Sequence, residues 1–231
     1  MGNFFTLIFP LLLSGLVGYL LGSISFAVIL TKAFIHDDVR NFGSGNAGAT
    51  NVLRAAGKKA SALTFACDFA KCAASVLIGY RILLWACEQH SMDPSYARLG
   101  MYAAGILCII GHMYPLYFGF RGGKGVVTTA AMMAMLDWRV FLVCFVAFFS
   151  TFFWKKIVSL SSVTAAITYP IATFLITWFL DYLPGGFPVS YVVMATAVAA
   201  LAGFVVTIKH RENIKRLIAG TEKPISFKKQ S

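Results

Sequence analysis

Seven apolar stretches follow one another along this chain, parted by short polar connections that carry lysine, arginine and glycine. They fall near residues 4–31, 60–87, 99–118, 126–137, 140–154, 162–182 and 189–208. A helix needs about 20 mainly apolar residues to cross the hydrocarbon of a bilayer, and fewer where protein shields it. The expected fold is therefore all-α, a polytopic transmembrane bundle of about seven spans, forming one integral-membrane domain over residues 1–231. The fourth and fifth stretches are short, and Asp137-Trp138-Arg139 between them reads as a tight polar turn. A re-entrant element is the alternative there. The first stretch begins almost at Met1 without a basic leader or a cleavage site, so it reads as a retained helix and not a signal peptide.

A soluble domain of this length would be roughly 45–50% apolar and about 25% charged. Here 58% of residues are hydrophobic and 13% charged, with a mean hydropathy of +0.75. That excludes a soluble protein with a large core. The net charge of +11 would point to nucleic acid in a soluble chain, but here it marks loops, and no nucleic-acid partner is expected. With seven spans, 16 of the 20 Lys and Arg residues fall on one side, Lys223, Lys228 and Lys229 among them. Only Lys71, Arg81, Arg98 and Arg139 lie on the other side or within spans. Basic loops stay in the cytoplasm, which predicts a cytoplasmic C-terminus and an N-terminus outside. The five cysteines, an odd number without a C-x-x-C pair, read as buried apolar residues and not as a disulfide or zinc framework.

Two glycine-rich loops then fall on the cytoplasmic side. The first is Gly43-Ser44-Gly45-Asn46-Ala47-Gly48-Ala49-Thr50-Asn51, followed by Arg54. Glycine lets backbone N–H groups turn toward an anion at close range. Ser44, Asn46, Thr50 and Asn51 add hydroxyl and amide groups, and Arg54 a planar fork suited to phosphate oxygens. The second loop, Gly122-Gly123-Lys124-Gly125, opens a helix. It resembles a P-loop only superficially. Gly119 to Gly123 is one residue short of the required spacing, and Gly125 stands where serine or threonine would bind magnesium. Lys124 and helix-start amides could still hold one phosphate. No metal ion or other cofactor is called for.

Beyond the last stretch, His210 and Asn213 are three residues apart and would share a helix face. Imidazole and amide together can position a hydroxyl or an oxyanion. Asp68 and Lys71, three apart inside the second stretch, can pair, which lowers the cost of burying them. They and His112, at a helix end before Pro115, read as supporting residues, with Lys71 facing the loops as the functional alternative to a structural ion pair. His36 and His90 read as ordinary boundary residues. Missing are a G-x-S-x-G elbow, an H-E-x-x-H zinc pair and a histidine with aspartate five positions on.

Gly43 to Arg54, Gly111 to Val127 and His210 to Gly220 together resemble the bacterial acyl-phosphate glycerol-3-phosphate acyltransferases, the PlsY family. Val158-Ser159-Leu160 and the Asp68/Lys71 pair are similar too. Cys72 departs from the glycine usual after that lysine, and residues 88–98 have no counterpart in the resemblance.

The resemblance implies transfer of a fatty acyl group from acyl phosphate to glycerol 3-phosphate. The products would be lysophosphatidate and inorganic phosphate, in phospholipid biosynthesis at the bacterial inner membrane. It also implies a soluble acyl-phosphate synthase upstream, and makes Ser159 a substrate ligand. Two phosphate-bearing substrates account for two anion loops, and one alkyl chain for a site at the mouth of a bundle among membrane lipids. Acyl phosphate is already activated, so positioning and electrostatics can supply most of the rate. The expected roles follow. Arg54, Ser44, Asn46, Thr50 and Asn51 bind one phosphate. Lys124, with amides around Gly122, Gly123 and Gly125, binds the other. His210 and Asn213 orient the reacting groups. A transporter for an organic phosphate would instead place its ligands at the midplane between related halves, and no repeat is visible.

Overall fold

The first apolar stretch is interrupted by Ser23-Ile24-Ser25, and the backbone breaks there. In the computed structural model, which describes residues 2–222 and 224, α1 (Gly2–Gly22) stops at this break and α2 (Phe26–Ile35) resumes beyond it. Lys223, Lys228 and Lys229 of the charge count lie outside the described residues. Seven more helices follow: α3 (Ala49–Gln89), α4 (Ala97–Met113), α5 (Val126–Leu136), α6 (Trp138–Lys155), α7 (Val158–Ile176), α8 (Val189–Lys209) and α9 (Arg211–Ile218). No strand occurs among the described residues.

Six helical stretches among the described residues are long and apolar enough to cross a membrane, against about seven expected. The difference lies at 126–137, where α5 has only 11 residues. At 1.5 Å per residue it spans about 16 Å, roughly half of a hydrocarbon core. Asp137 sets its end. That side chain accepts a hydrogen bond from the Arg139 N–H at 2.9 Å and so caps the start of α6.

The chain divides after Leu136 into two compact units. In the first, α1, α3 and α4 pack on one another, and α5 lies against α3 and α4. The approach of α1 to α4 is close because of small residues. A Cβ added at Gly18 or Gly22 would run into the carbonyl oxygens of Ala104 or Cys108, the kind of contact that binds helices together where water cannot. Helix α3 is bent at Gly57, whose φ of 83° and ψ of −175° are open essentially to glycine alone. Residues 49–56 thereby form a separate short helix, held across the bend by the Ser61 hydroxyl on the Ala49 carbonyl at 2.8 Å.

In the second unit α7 packs against both α6 and α8, and α9 touches α7 and α8. A wide final turn, Thr177–Tyr182, carries the buried Asp181. Arg139 reaches both Asp181 oxygens, at 2.9 and 2.8 Å, and Asp137 at 2.7 Å. Each charge is thus paired at the helix ends where lipid would otherwise meet it.

Candidate active site

The first glycine-rich loop is organised from within by Asn51. This side chain is 2% exposed. Its Nδ2 donates to the Val39 and Phe42 carbonyls, both at 2.9 Å, and its Oδ1 accepts from the Ser44 N–H at 3.3 Å. Asn51, expected to bind substrate, has its amide engaged in shaping the loop. Ser44 and Arg54 are exposed, and Asn46 and Thr50 half-buried.

The two loops touch. The Ala47 N–H donates to the Gly122 carbonyl at 3.4 Å. Arg40 adds a firmer tie. It is held by Asp38 through Nε at 3.0 Å and Nη2 at 2.8 Å, while Nη1 donates to the Phe118 carbonyl at 2.7 Å. The Arg40 guanidinium keeps the Asp38 carboxyl below its usual range. The loops, separated by some seventy residues in sequence, are therefore tied together, and along them Ser44 and Arg54 are exposed and Asn46, Thr50 and Lys124 half-buried.

In the second loop the Gly123 N–H is engaged by the His112 carbonyl at 3.0 Å, so it is not one of the anion-facing amides expected there. The candidates move to the first turn of α5, whose N–H groups have no intrahelical partner. Gly125, with φ of 79°, makes the turn into that helix. A Cβ at Gly122 would strike the His112 carbonyl.

Beneath the loops lies the predicted supporting cluster, all buried. Lys71 Nζ is 2.7 Å from Asp68 Oδ1, 2.7 Å from the Ile24 carbonyl at the α1–α2 break, and 3.1 Å from His112 Nδ1. The ammonium is thus engaged inside the unit.

In the second unit His210 sits between α8 and α9, 2% exposed. Its Nδ1 lies 2.8 Å from the Val206 carbonyl. A carbonyl only accepts, so Nδ1 carries a proton. Asn213, one turn on, and Ser159, in the first turn of α7, are brought together by a residue that the sequence reading missed. Glu222 Oε1 accepts from Ser159 Oγ and from Asn213 Nδ2, both at 2.6 Å, and Oε2 accepts from Arg216 Nε at 2.6 Å. Burial pushes the Glu222 carboxyl up, but these three donors outweigh it and hold the group below its usual range. The available signal was a carboxylate in a basic segment, two residues past Gly220, whose φ of 67° turns the chain back. His36 and His90 are exposed at helix ends.

Residues 12–220 match the sequence pattern of the family described as glycerol-3-phosphate acyltransferase, a stretch that takes in both units. A glycerol-3-phosphate acyltransferase of Aquifex aeolicus is 39% identical over 204 residues, covering 88% of this chain and 93% of its own. One from Neisseria meningitidis serogroup A is 39% identical over 213 residues, covering 92% and 96%. Among solved structures, PlsY (YgiH), an integral membrane glycerol 3-phosphate acyltransferase, is similar in its glycerol 3-phosphate form. The TM-score is 0.72 at 36% identity, over 94% of this chain and 96% of that one. Its lysophosphatidic acid form gives 0.70 at 34% identity over the same shares. The agreement runs through both units and nearly the full length of each relative, and the chain belongs to the glycerol-3-phosphate acyltransferase family.

Proposed function

We propose that the protein transfers a fatty acyl group from acyl phosphate to glycerol 3-phosphate, releasing lysophosphatidate and inorganic phosphate for phospholipid biosynthesis. The observation that carries this reading is the joined surface of two glycine-rich loops bearing Arg54 and Lys124, in a chain whose relatives are glycerol-3-phosphate acyltransferases. Arg54, with Ser44, Asn46 and Thr50, holds one phosphate. Lys124 and the first amides of α5 hold the other and stabilise the charge that develops as phosphate departs.

The glycerol hydroxyl oxygen attacks the acyl carbonyl carbon. An ester C–O bond forms, the bond from carbon to the phosphate oxygen breaks, and phosphate leaves with the electron pair. Asn213 and Ser159 orient polar groups of the substrates. The hydroxyl proton passes to the His210 imidazole, whose Nδ1 is turned to the Val206 carbonyl, or to a substrate phosphate oxygen. Because the donor is activated, no covalent acyl-enzyme step is required. The basic loops support a site at the cytoplasmic face of the bacterial inner membrane, with a soluble synthase as the source of acyl phosphate.

The test is phosphate release by purified protein given palmitoyl phosphate, with and without glycerol 3-phosphate. Release that depends on glycerol 3-phosphate, with equal lysophosphatidate, is expected. Arg54→Ala and Lys124→Ala should each lower kcat/KM by about 10²–10³. Full activity in both variants sinks the scheme, and absence of turnover in a folded sample favours a phosphate transporter. His210→Gln should cost about 10²–10⁴ if histidine is the base; near-normal rates assign the proton to the substrate.

A further inference from the structure

The buried cluster beneath the loops does more than neutralise itself. Lysine carries donors and no acceptor, so the 3.1 Å contact between Lys71 Nζ and His112 Nδ1 requires the lone pair on Nδ1. Asp68 Oδ1 is 3.6 Å from that nitrogen and 2.7 Å from Lys71 Nζ, so the carboxylate sits closer to the ammonium than to the ring. With Lys71 as the donor, the ring proton of His112 stands on Nε2. This Nε2 edge, together with the Ala47 carbonyl, fills the space where a Cβ at Gly123 would stand. The same histidine accepts the Gly123 N–H at its own carbonyl, at 3.0 Å. Gly123 is therefore gripped from both sides by one residue, and Lys124 follows it directly.

We propose that His112, locked by Lys71 as the Nε2–H tautomer, is a positioning residue that seats the Gly122–Lys124 turn against the first loop and so aims the Lys124 ammonium. In kinetic terms it rests on the acyl-transfer reading above. Its substrate is the phosphate held at the second loop.

Two measurements test it. The first is histidine-selective ¹⁵N NMR of the whole wild-type protein in micelles. Four histidines occur. His36 and His90 are exposed, whereas His112 and His210 are buried. One buried ring should show the Nε2–H pattern and the other, His210, the Nδ1–H pattern set by Val206. Two buried rings of the same tautomer, or a charged His112, overturn the proposal. This readout stands even if the protein proves inactive, in which case the acyl-transfer reading fails alone.

The second is steady-state kinetics on a double-mutant cycle. His112→Asn keeps an acceptor near Lys71 and removes the edge against Gly123. It should raise KM for one phosphate substrate at least tenfold and leave the other within threefold, a split that a loss of folded protein cannot produce. Gly123→Ala should cost at least a hundredfold in kcat/KM in the wild-type background and at least threefold less than that in the His112→Asn background, where the ring edge is gone and the Ala47 carbonyl, 2.7 Å from the added methyl, is the close contact left. Effects that multiply independently, or wild-type kinetics in His112→Asn, refute the assignment.

Discussion

Replacing Glu222 with glutamine keeps the side-chain shape and removes its charge. In the structure one carboxylate accepts three hydrogen bonds of 2.6 Å. Ser159 and Asn213 are each 7% exposed, so their bonds to Oε1 survive only as neutral contacts. Losing charge assistance on two such bonds costs about 1 kcal/mol each. The new amide nitrogen faces another donor, Arg216 Nε. That guanidinium is 44% exposed and turns to water, so its loss adds only about 0–1 kcal/mol. The sum, about 2–3 kcal/mol, lowers Tm by roughly 4–12 °C in a chain of this length. Five free thiols, four of them buried, make a thiol-reactive dye a suitable reporter of unfolding in detergent.

The sign with pH follows from the lowered Glu222 pKa. Its contribution is fully present above the ordinary value of 4.5 and is lost as pH falls through the folded value. The Tm gap between wild type and Glu222→Gln should be constant near neutrality and close below about pH 4.5. An unchanged Tm at pH 7, or a gap that persists undiminished at the lowest pH where both fold, refutes the reasoning.

Three further outcomes are expected. Asn51→Ala removes the amide donor from two loop carbonyls, each of which keeps a backbone donor, and the acceptor of the Ser44 N–H, and should cost about 1–3 kcal/mol in chemical unfolding, with activity lost before the fold. Gly57→Ala meets nothing within 4 Å, so its cost is torsional alone, about 1–3 kcal/mol; a shift below 0.5 kcal/mol on the same scale would show that the bend relaxes freely. Arg139→Met strands Asp181, and with the arginine 31% exposed should destabilise by about 2–4 kcal/mol; adding Asp181→Asn should return part of that in a thermal melt.

Composition and periodic apolar stretches made the helical membrane fold legible, and Asp137 marked a helix boundary that the structure places there. The glycine-rich loops were legible because glycine at that density has few uses between helices. Their contact was not. It depends on Arg40 meeting the Phe118 carbonyl, a pairing between residues 78 apart with no local signature. The same limit hid Glu222, whose partner Ser159 is 63 residues away. Asn51 illustrates a different limit. Its residue type suits a phosphate ligand and an internal brace equally, and only its burial separates the two. The bend at Gly57 was not legible, because this glycine lies in the polar connection between Arg54 and Lys58-Lys59 and its residue type does not give its φ.

The Arg139 cluster also bears on how the second unit is made. A ribosome delivers α6 with its arginine near the first turn, accompanied only by Asp137. The second carboxylate, Asp181, is synthesised 42 residues later, at the far end of the next helix. Neutralisation is completed only when that end arrives. The two helices therefore gain by entering the bilayer as a hairpin, and a translocon that released α6 early would leave half of the cluster's pairing unmade.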